Sequence, residues 1–322
     1  MESTFKKTIT LGNTLLYIAP FFLWGTAMVA MKGAIDRTTP FFMAGVRLFP
    51  AGILILIVAA ILKRPQPKTS KAWLWIALFA LVDGAMFQGF LATGLVRTNA
   101  GLGSVMIDSQ PLVVALLSSW LFGEVIGLFG FVGLIIGIFG IGIIGIPDRW
   151  IYGIFDGDWS VINFDLWGLL DNGEWLMLLA ALSMATGTIL IRYVCKHCDP
   201  IVATGWHMII GGIPLFLISF WQESGQWSGL TGMDWLSLAY ATVFGSAIAY
   251  GIFFYLASQG NLTSLSALTF LTPVFALLFG NLILAEVLSP LQLAGVCLTL
   301  ISIYLINMRE KLGEKFNSRE VS

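Results

Sequence analysis

The sequence predicts an all-α membrane protein with ten transmembrane helices in two inverted five-helix repeats. Three observations carry this prediction: the composition, a series of ten apolar runs, and an internal repeat. Hydrophobic residues make up 57% of the 322 residues and charged residues 11%, with a mean hydropathy of +0.88. A soluble domain carries about 25% charged residues. Charge this sparse cannot coat a chain of this size for water, so lipid is the solvent for much of its exterior. The 35 glycines and 12 tryptophans suit that solvent, because Gly is frequent in spanning helices and Trp prefers the headgroup layer. A formal net charge of −1 argues against nucleic-acid binding, which needs a basic face. Three cysteines offer no disulfide framework.

A span needs about 20 apolar residues. In the first half such runs cover 15–31, 40–62, 73–95, 99–121 and 127–146, and in the second 174–191, 201–221, 235–257, 263–285 and 290–308. Lys6 and Lys7 precede the first run, as in a signal peptide, but the run meets Lys32 with no small-residue cleavage pattern and is read as a span. The organisation is then a first repeat over 1–146, a linker over 147–173, a second repeat over 174–308 and a tail over 309–322. The linker holds Asp148, Asp156, Asp158, Asp165 and Asp171 among Trp150, Tyr152, Trp159 and Trp167, and is too polar to span. Its rings suit the membrane interface.

Lys and Arg placement sets the orientation. With the N-terminus cytoplasmic, the inner segments hold Lys6, Lys7, Lys63, Arg64, Lys68, Lys71, Arg192, Lys196, Arg309, Lys311, Lys315 and Arg319. The outer segments hold only Lys32, Arg37, Arg97 and Arg149. This bias predicts both termini inside, the acidic linker outside, and residence in an inner or plasma membrane.

Sliding the second half back by 160 residues places Pro200 on Pro40, Gly205 on Gly45, Gly212 on Gly52, Arg192 on Lys32 and His207 on Arg47. Sliding it by 162 places Gly251 on Gly89, Asn261 on Asn99, Pro273 on Pro111, Glu286 on Glu124 and Gly295 on Gly133. An ordered series at near-constant offset is a duplication. Each unit has an odd number of spans, so the second enters the membrane from the opposite side. Many secondary transporters have this architecture, with the site near the midplane between repeats.

The fourth and ninth spans read GLGSVMIDSQPLVVALLSSWLFGE and SLSALTFLTPVFALLFGNLILAE, each followed by an apolar span with Gly133 or Gly295 nine residues past the Glu. The first span opens LWGTAMVAMKGAID. From about 15 to 308 the chain resembles the EamA-type domain of the drug/metabolite transporter superfamily, occurring twice. The resemblance implies ten helices in two inverted EamA domains and the export or exchange of a small metabolite, amino acid or drug-like solute. It assigns no role to Asp108, which stands where the family usually carries small or apolar residues.

Ionisable groups inside a span are costly and mark function by default. Asp83 lies midway along the third span, Asp108 near the middle of the fourth and Arg47 a third of the way into the second. Their counterparts are Gly245, Phe270 and His207, so the charge is asymmetric on a symmetric scaffold. Asp108 or Asp83 is a candidate for binding a proton or a substrate ammonium. The alternative is an ion pair of Arg47 with Asp108 or Asp83 that only neutralises buried charge. Pro111 and Pro273 are expected to kink their spans and free the carbonyls of Ile107 and Thr269. Asp108, Ser109 and Gln110 beside one proline, and Thr269 and Thr272 beside the other, then form a polar wall of a central cavity, or the prolines only help packing.

Glu124 and Glu286 close their spans structurally, near the start of the next helix. Trp24, Gln88, Trp206 and Tyr250 are further candidates for the cavity or for packing. His207 replaces Arg47 at the equivalent place and can change charge near neutral pH, or is a satisfied core histidine. Cys195-Lys196-His197-Cys198 has no second ligand pair to complete a zinc site and reads as two free thiols in a turn. Gly133-x-x-x-Gly137 allows close helix approach, between protomers or within the fold.

The residues call for no cofactor and no metal. There is no G-x-x-x-x-G-K-S/T phosphate loop, which argues against ATP-driven transport by this chain alone. The partners expected are a small-molecule solute, the lipid bilayer and, through Asp108, a proton. A membrane enzyme is the alternative, with Asp83 and Asp108 as an aspartyl dyad, or a channel or non-transporting scaffold. A cysteine at Ser160 is expected to label from outside intact cells with an impermeant thiol reagent, above the background of the three native cysteines. Labelling only after lysis would reverse the topology.

Overall fold

The computed structural model describes residues 11–98, 103, 106–107, 109–122, 126–145, 153, 156–157, 173–258, 265, 268–269, 271–285 and 289–308. Ten helices of ten residues or more lie among them. In chain order they are α1 Leu11–Ala34, α2 Pro40–Ile61, α3 Ser70–Arg97, α4 Gln110–Phe122, α5 Gly127–Gly145, α6 Gly173–Val194, α7 Pro200–Gln222, α8 Gly232–Ser258, α9 Leu271–Leu284 and α10 Pro290–Asn307. Each falls on one apolar run. By length and composition six of them, α1, α2, α3, α6, α7 and α8, can cross a membrane, while α4, α5 and α10 contribute shorter apolar stretches.

Matching sequence signals start matching helices. Pro40 and Pro200 occupy the first turns of α2 and α7, where the missing N–H costs no helical bond. Asp199 caps α7 by accepting from Ile201 N and Val202 N. At its counterpart Thr39 the anion is borrowed: Glu223, just past α7, accepts from Phe41 N at 2.9 Å and Phe42 N at 3.0 Å. Thr69 caps α3, and Thr231, 162 residues on, caps α8 in a capping box with Asp234.

Pro111 and Pro273 depart from expectation. They stand in the first turns of α4 and α9 rather than kinking a continuous helix. The carbonyl of Thr269, expected to be free, accepts from Thr272 N at 2.9 Å. Both spans are therefore interrupted just before their prolines, because a proline is tolerated at a helix start and not in its interior.

The packing interchanges between the halves. α1 packs on α8 and α9, and α6 packs on α3 and α4; α2 packs on α7, and α5 on α10. Reciprocal contact of this kind is what a two-fold relation between like units produces. The repeated glycines sit where it is tightest. A Cβ on Gly52 would lie 2.7 Å from the Gly205 carbonyl oxygen, and one on Gly205 would meet Leu56 at 2.7 Å. Gly45 faces Phe216 as its repeat counterpart Gly205 faces Leu56, and Gly52 meets Ile209 as its counterpart Gly212 meets Phe49. Gly133, Gly137 and Gly140 of α5 lie against Ser302, Thr299 and neighbouring atoms of α10, so this small-residue stripe closes a contact inside the fold.

Large apolar side chains cover the outside, among them Ile61, Trp120, Phe139, Phe220 and Leu282. Buried polar side chains collect between the halves, among them Arg47, Asp83, Gln88, Gln110, Thr188 and His207. Polar groups inside and apolar groups outside suit a chain dissolved in lipid.

Gly52→Ala is expected to lower the thermal stability of the purified protein by about 1–3 kcal/mol, because the added methyl overpacks a backbone contact. Gly251→Ala, where a Cβ meets nothing within 4 Å, is expected to leave the melting temperature unchanged or higher.

Candidate functional site

Both long helices that face the centre change pitch. Ala80–Met86 of α3 and Val243–Ile248 of α8 are π-helical, with Phe87 N donating to Val82 O and Ala249 N donating to Phe244 O, five residues back. Offset by 162, the two segments nearly coincide. A π-bulge rotates the residues beyond it relative to an unbroken helix and recurs at functional sites. Close packing holds both: Gly84 lies against the His207 carbonyl and the Gly211 backbone, and Gly245 against Ala27.

Each π segment receives a basic side chain from the other half. Arg47 on α2 donates from Nη1 to Ser246 Oγ at 3.1 Å. Its counterpart His207 on α7 meets Asp83 Oδ2 through Nε2 at 3.1 Å. The imidazole lies 4.1 Å, centroid to centroid, from the Phe79 ring and also borders Phe254. The alternative of an ion pair between Arg47 and Asp83 is thus not formed. His207 has the carboxylate, and the reason is positional: Asp83 belongs to the segment that α7 crosses. His207 is only half satisfied, since its Nδ1 and Asp83 Oδ1 lack hydrogen-bond partners among the described residues. The Asp83 carboxyl occupies space opened by Gly187, where a Cβ would lie 2.5 Å from Oδ1.

Gln88 Nε2 donates to Tyr250 Oη at 3.0 Å. These two residues are themselves 162 apart, so each is the other's repeat counterpart. Like residues can bond each other only where the two halves meet symmetrically. The same offset would have paired them in the sequence, where they stood as separate weak candidates.

Beside this bond lies a cavity of about 40 Å³, lined by Trp24, Met28, Arg47, Met184, Tyr250 and Thr272 among others. At about 10–15 Å³ per water it holds a few waters. Trp24 packs edge-on against Tyr250 at 5.1 Å. Three donors of its wall lack partners among the described residues: Trp24 Nε1, Arg47 Nε and Thr272 Oγ1.

Of the other expected site residues, Ser109 is buried and turns its hydroxyl to the Met106 carbonyl. Gln110 donates from Nε2 to Thr188 Oγ1 at 2.7 Å, and Thr269 is buried near the start of α9. Asp108 lies outside the described residues, as do Glu124 and Glu286. Ser246, Thr188 and the methionines of the wall were not singled out from sequence; only their proximity to the repeat-matched residues could have flagged them. Cys195 and Cys198 are free, and burial pushes their thiols up to about 12 and about 11, which keeps them unreactive.

The model of the EamA-like transporter family matches residues 11–146 and 171–308. An uncharacterised transporter of Synechocystis sp. is 63% identical over 312 residues, covering 97% of this chain and 94% of that protein. A chloroplastic WAT1-related protein of Arabidopsis thaliana is 53% identical over 297 residues, covering 91% of this chain and 69% of that one. One solved crystal structure superposes with a TM-score of 0.63 at 16% identity, over 91% of this chain and 95% of that one, a likeness of fold.

Asp83→Ala is expected to cost about 1–3 kcal/mol in thermal unfolding of the purified protein, because it leaves His207 buried without a partner. Asp83→Asn, which keeps a hydrogen bond to the imidazole, is expected to cost less.

Proposed function

This chain belongs to the EamA-like transporter family, and from that premise we propose that it is a secondary transporter, exporting or exchanging a small metabolite, amino acid or drug-like solute by alternating access. The observation that carries this reading is a set of reciprocal contacts between both halves beside one small, mostly apolar cavity that Arg47, Tyr250 and Thr272 line. Arg47 and His207 reach across at equivalent places, Gln88 bonds its own counterpart, and α4 and α9 are both interrupted before their prolines. Interrupted helices at matching places of two repeats are the strongest pointer to a transport site. In this reading the five-span units are inverted, both termini are cytoplasmic, and the chain resides in an inner or plasma membrane.

The cavity's size argues against a pore that is open in this conformation. A space of about 40 Å³ admits no metabolite, so passage requires the two halves to move against each other. The enzyme alternative draws little from the site. The Nδ1 of His207 meets no nucleophile among the described residues, and a general base needs its nucleophile within hydrogen-bond reach. Coupling to a proton is assigned to Asp108, with Asp83 as the second carboxyl able to serve.

The purified protein in liposomes is expected to move a solute from a panel of amino acids, organic acids and cationic drugs with a rate that saturates, and with acceleration by solute on the far side. A rate linear in concentration would indicate a channel. Asp108→Asn is expected to abolish accompanying proton movement, followed by an internal pH dye, while the protein still folds. Normal transport with unchanged proton movement would remove Asp108 from the mechanism.

A further inference from the structure

We propose that the transported solute is a monocarboxylate with an apolar body, and that Arg47 binds its carboxylate. This deepens the carrier reading and rests on it. The argument begins with the repeat. His207 and Arg47 are counterparts, and each crosses to the π segment of the other half. The chain supplies His207 with a carboxylate, Asp83. The position equivalent to Asp83 opposite Arg47 is Gly245, and its side-chain space is closed by Ala27. Arg47 therefore meets only a neutral hydroxyl, Ser246 Oγ, and no carboxylate among the described residues. It is 3% exposed, and a guanidinium stays charged at any working pH. A buried cation without a counter-anion is costly, and the cost is recovered when the anion arrives with the solute.

The surroundings specify the rest. Trp24 and Thr272 line the same cavity as Arg47 and are nine-tenths or more buried, and Trp24 Nε1 and Thr272 Oγ1 have no hydrogen-bond partner among the described residues. An indole N–H can only donate, and an arginine can only donate. With a threonine hydroxyl they form a donor set around one positive charge, which matches a single carboxylate. A dianion would leave one charge uncompensated against the apolar remainder of the wall. That remainder includes Met28, Met31, Met184, Phe87 and Leu91. Once the halves part to enlarge this cavity, thioethers and ring edges suit aryl or branched alkyl bodies and adapt their shape to them. Nothing described in the wall supplies an acceptor charge for an ammonium, since Asp83 is turned to His207.

The test uses the full chain, purified in an uncharged detergent, with 3-phenylpropionate and 4-methylpentanoate as probes. Their neutral amides and the cationic 3-phenylpropylamine are the comparisons. Thermal stabilisation by the carboxylates, with little by the amides or amine, is expected. Arg47→Gln is expected to weaken carboxylate binding on the order of tenfold or more, as for loss of a charged hydrogen bond, with Arg47→Lys retaining part. If Arg47→Gln does not fold, Trp24→Phe and Thr272→Val remove the other donors with little change of shape, and each is expected to weaken carboxylates without affecting amides. Equal binding of carboxylate and amide, no binding of either carboxylate, or indifference to all of these variants would overturn the proposal. Vesicles with and without phosphatidylglycerol separate the sources of the anion. Carboxylate binding that vanishes whenever the anionic lipid is present would assign the site to a headgroup and overturn it too. Saturable flux of the amine that ignores Arg47→Gln would sink this proposal and keep the carrier. Arg47-dependent carboxylate binding without flux would do the reverse.

Discussion

Lipid tails are as apolar as leucine, so no hydrophobic force drives helices together inside a bilayer; they associate through close packing and hydrogen bonds. The crossing of α2 and α7 meets this constraint with glycine. Gly52 and Gly205 bring the two backbones to a distance at which a single methyl group would collide. Because Gly45 meets Phe216 as its counterpart Gly205 meets Leu56, and Gly52 meets Ile209 as Gly212 meets Phe49, the crossing joins the two halves at equivalent places. The positions of the two basic groups at the centre follow from it. Arg47 and His207 lie on these two helices, and the crossing aims each at the other half's π segment.

The same geometry explains the uneven charge. A perfectly symmetric pair of halves would carry the same residue at both reciprocal contacts. Here one contact is Asp83 with His207, seated in space left by Gly187, and the other is Ser246 with Arg47, beside Gly245 and Ala27. The exchange of side-chain volume between Asp83 and Gly187 on one side, and Gly245 and Ala27 on the other, lets one backbone frame hold two different electrostatic environments. One contact is a buried carboxylate–imidazole pair, and the other holds a cation that meets no carboxylate among the described residues. A carrier needs a frame that can move symmetrically and a site that recognises one kind of molecule. This arrangement separates the two demands.

Much of this was legible in the sequence, for physical reasons. Composition reports the solvent, since charge must face water and apolar bulk must face lipid. The apolar runs reported helices, six of them long and apolar enough to cross a bilayer, because backbone groups there have few other ways to be satisfied. The offsets of 160 and 162 reported which residues are counterparts, and thereby marked Gly52, Gly205, Arg47 and His207. Buried ionisable residues stood out because they are costly where they sit.

What tertiary structure alone decided was partnership. Sequence offered Arg47 a choice of Asp83 or Asp108, and left His207 open between a titratable site residue and a satisfied core histidine. The fold gave Asp83 to His207. It also turned two expected kinks into helix starts at Gln110 and Leu271, and placed Gln88 against Tyr250. None of this follows from periodicity, because a π segment shifts the facing of every residue beyond it while leaving the apolar pattern intact. The sequence specifies which side chains exist and roughly how deep they lie; only the crossing of helices from distant parts of the chain determines which of them touch.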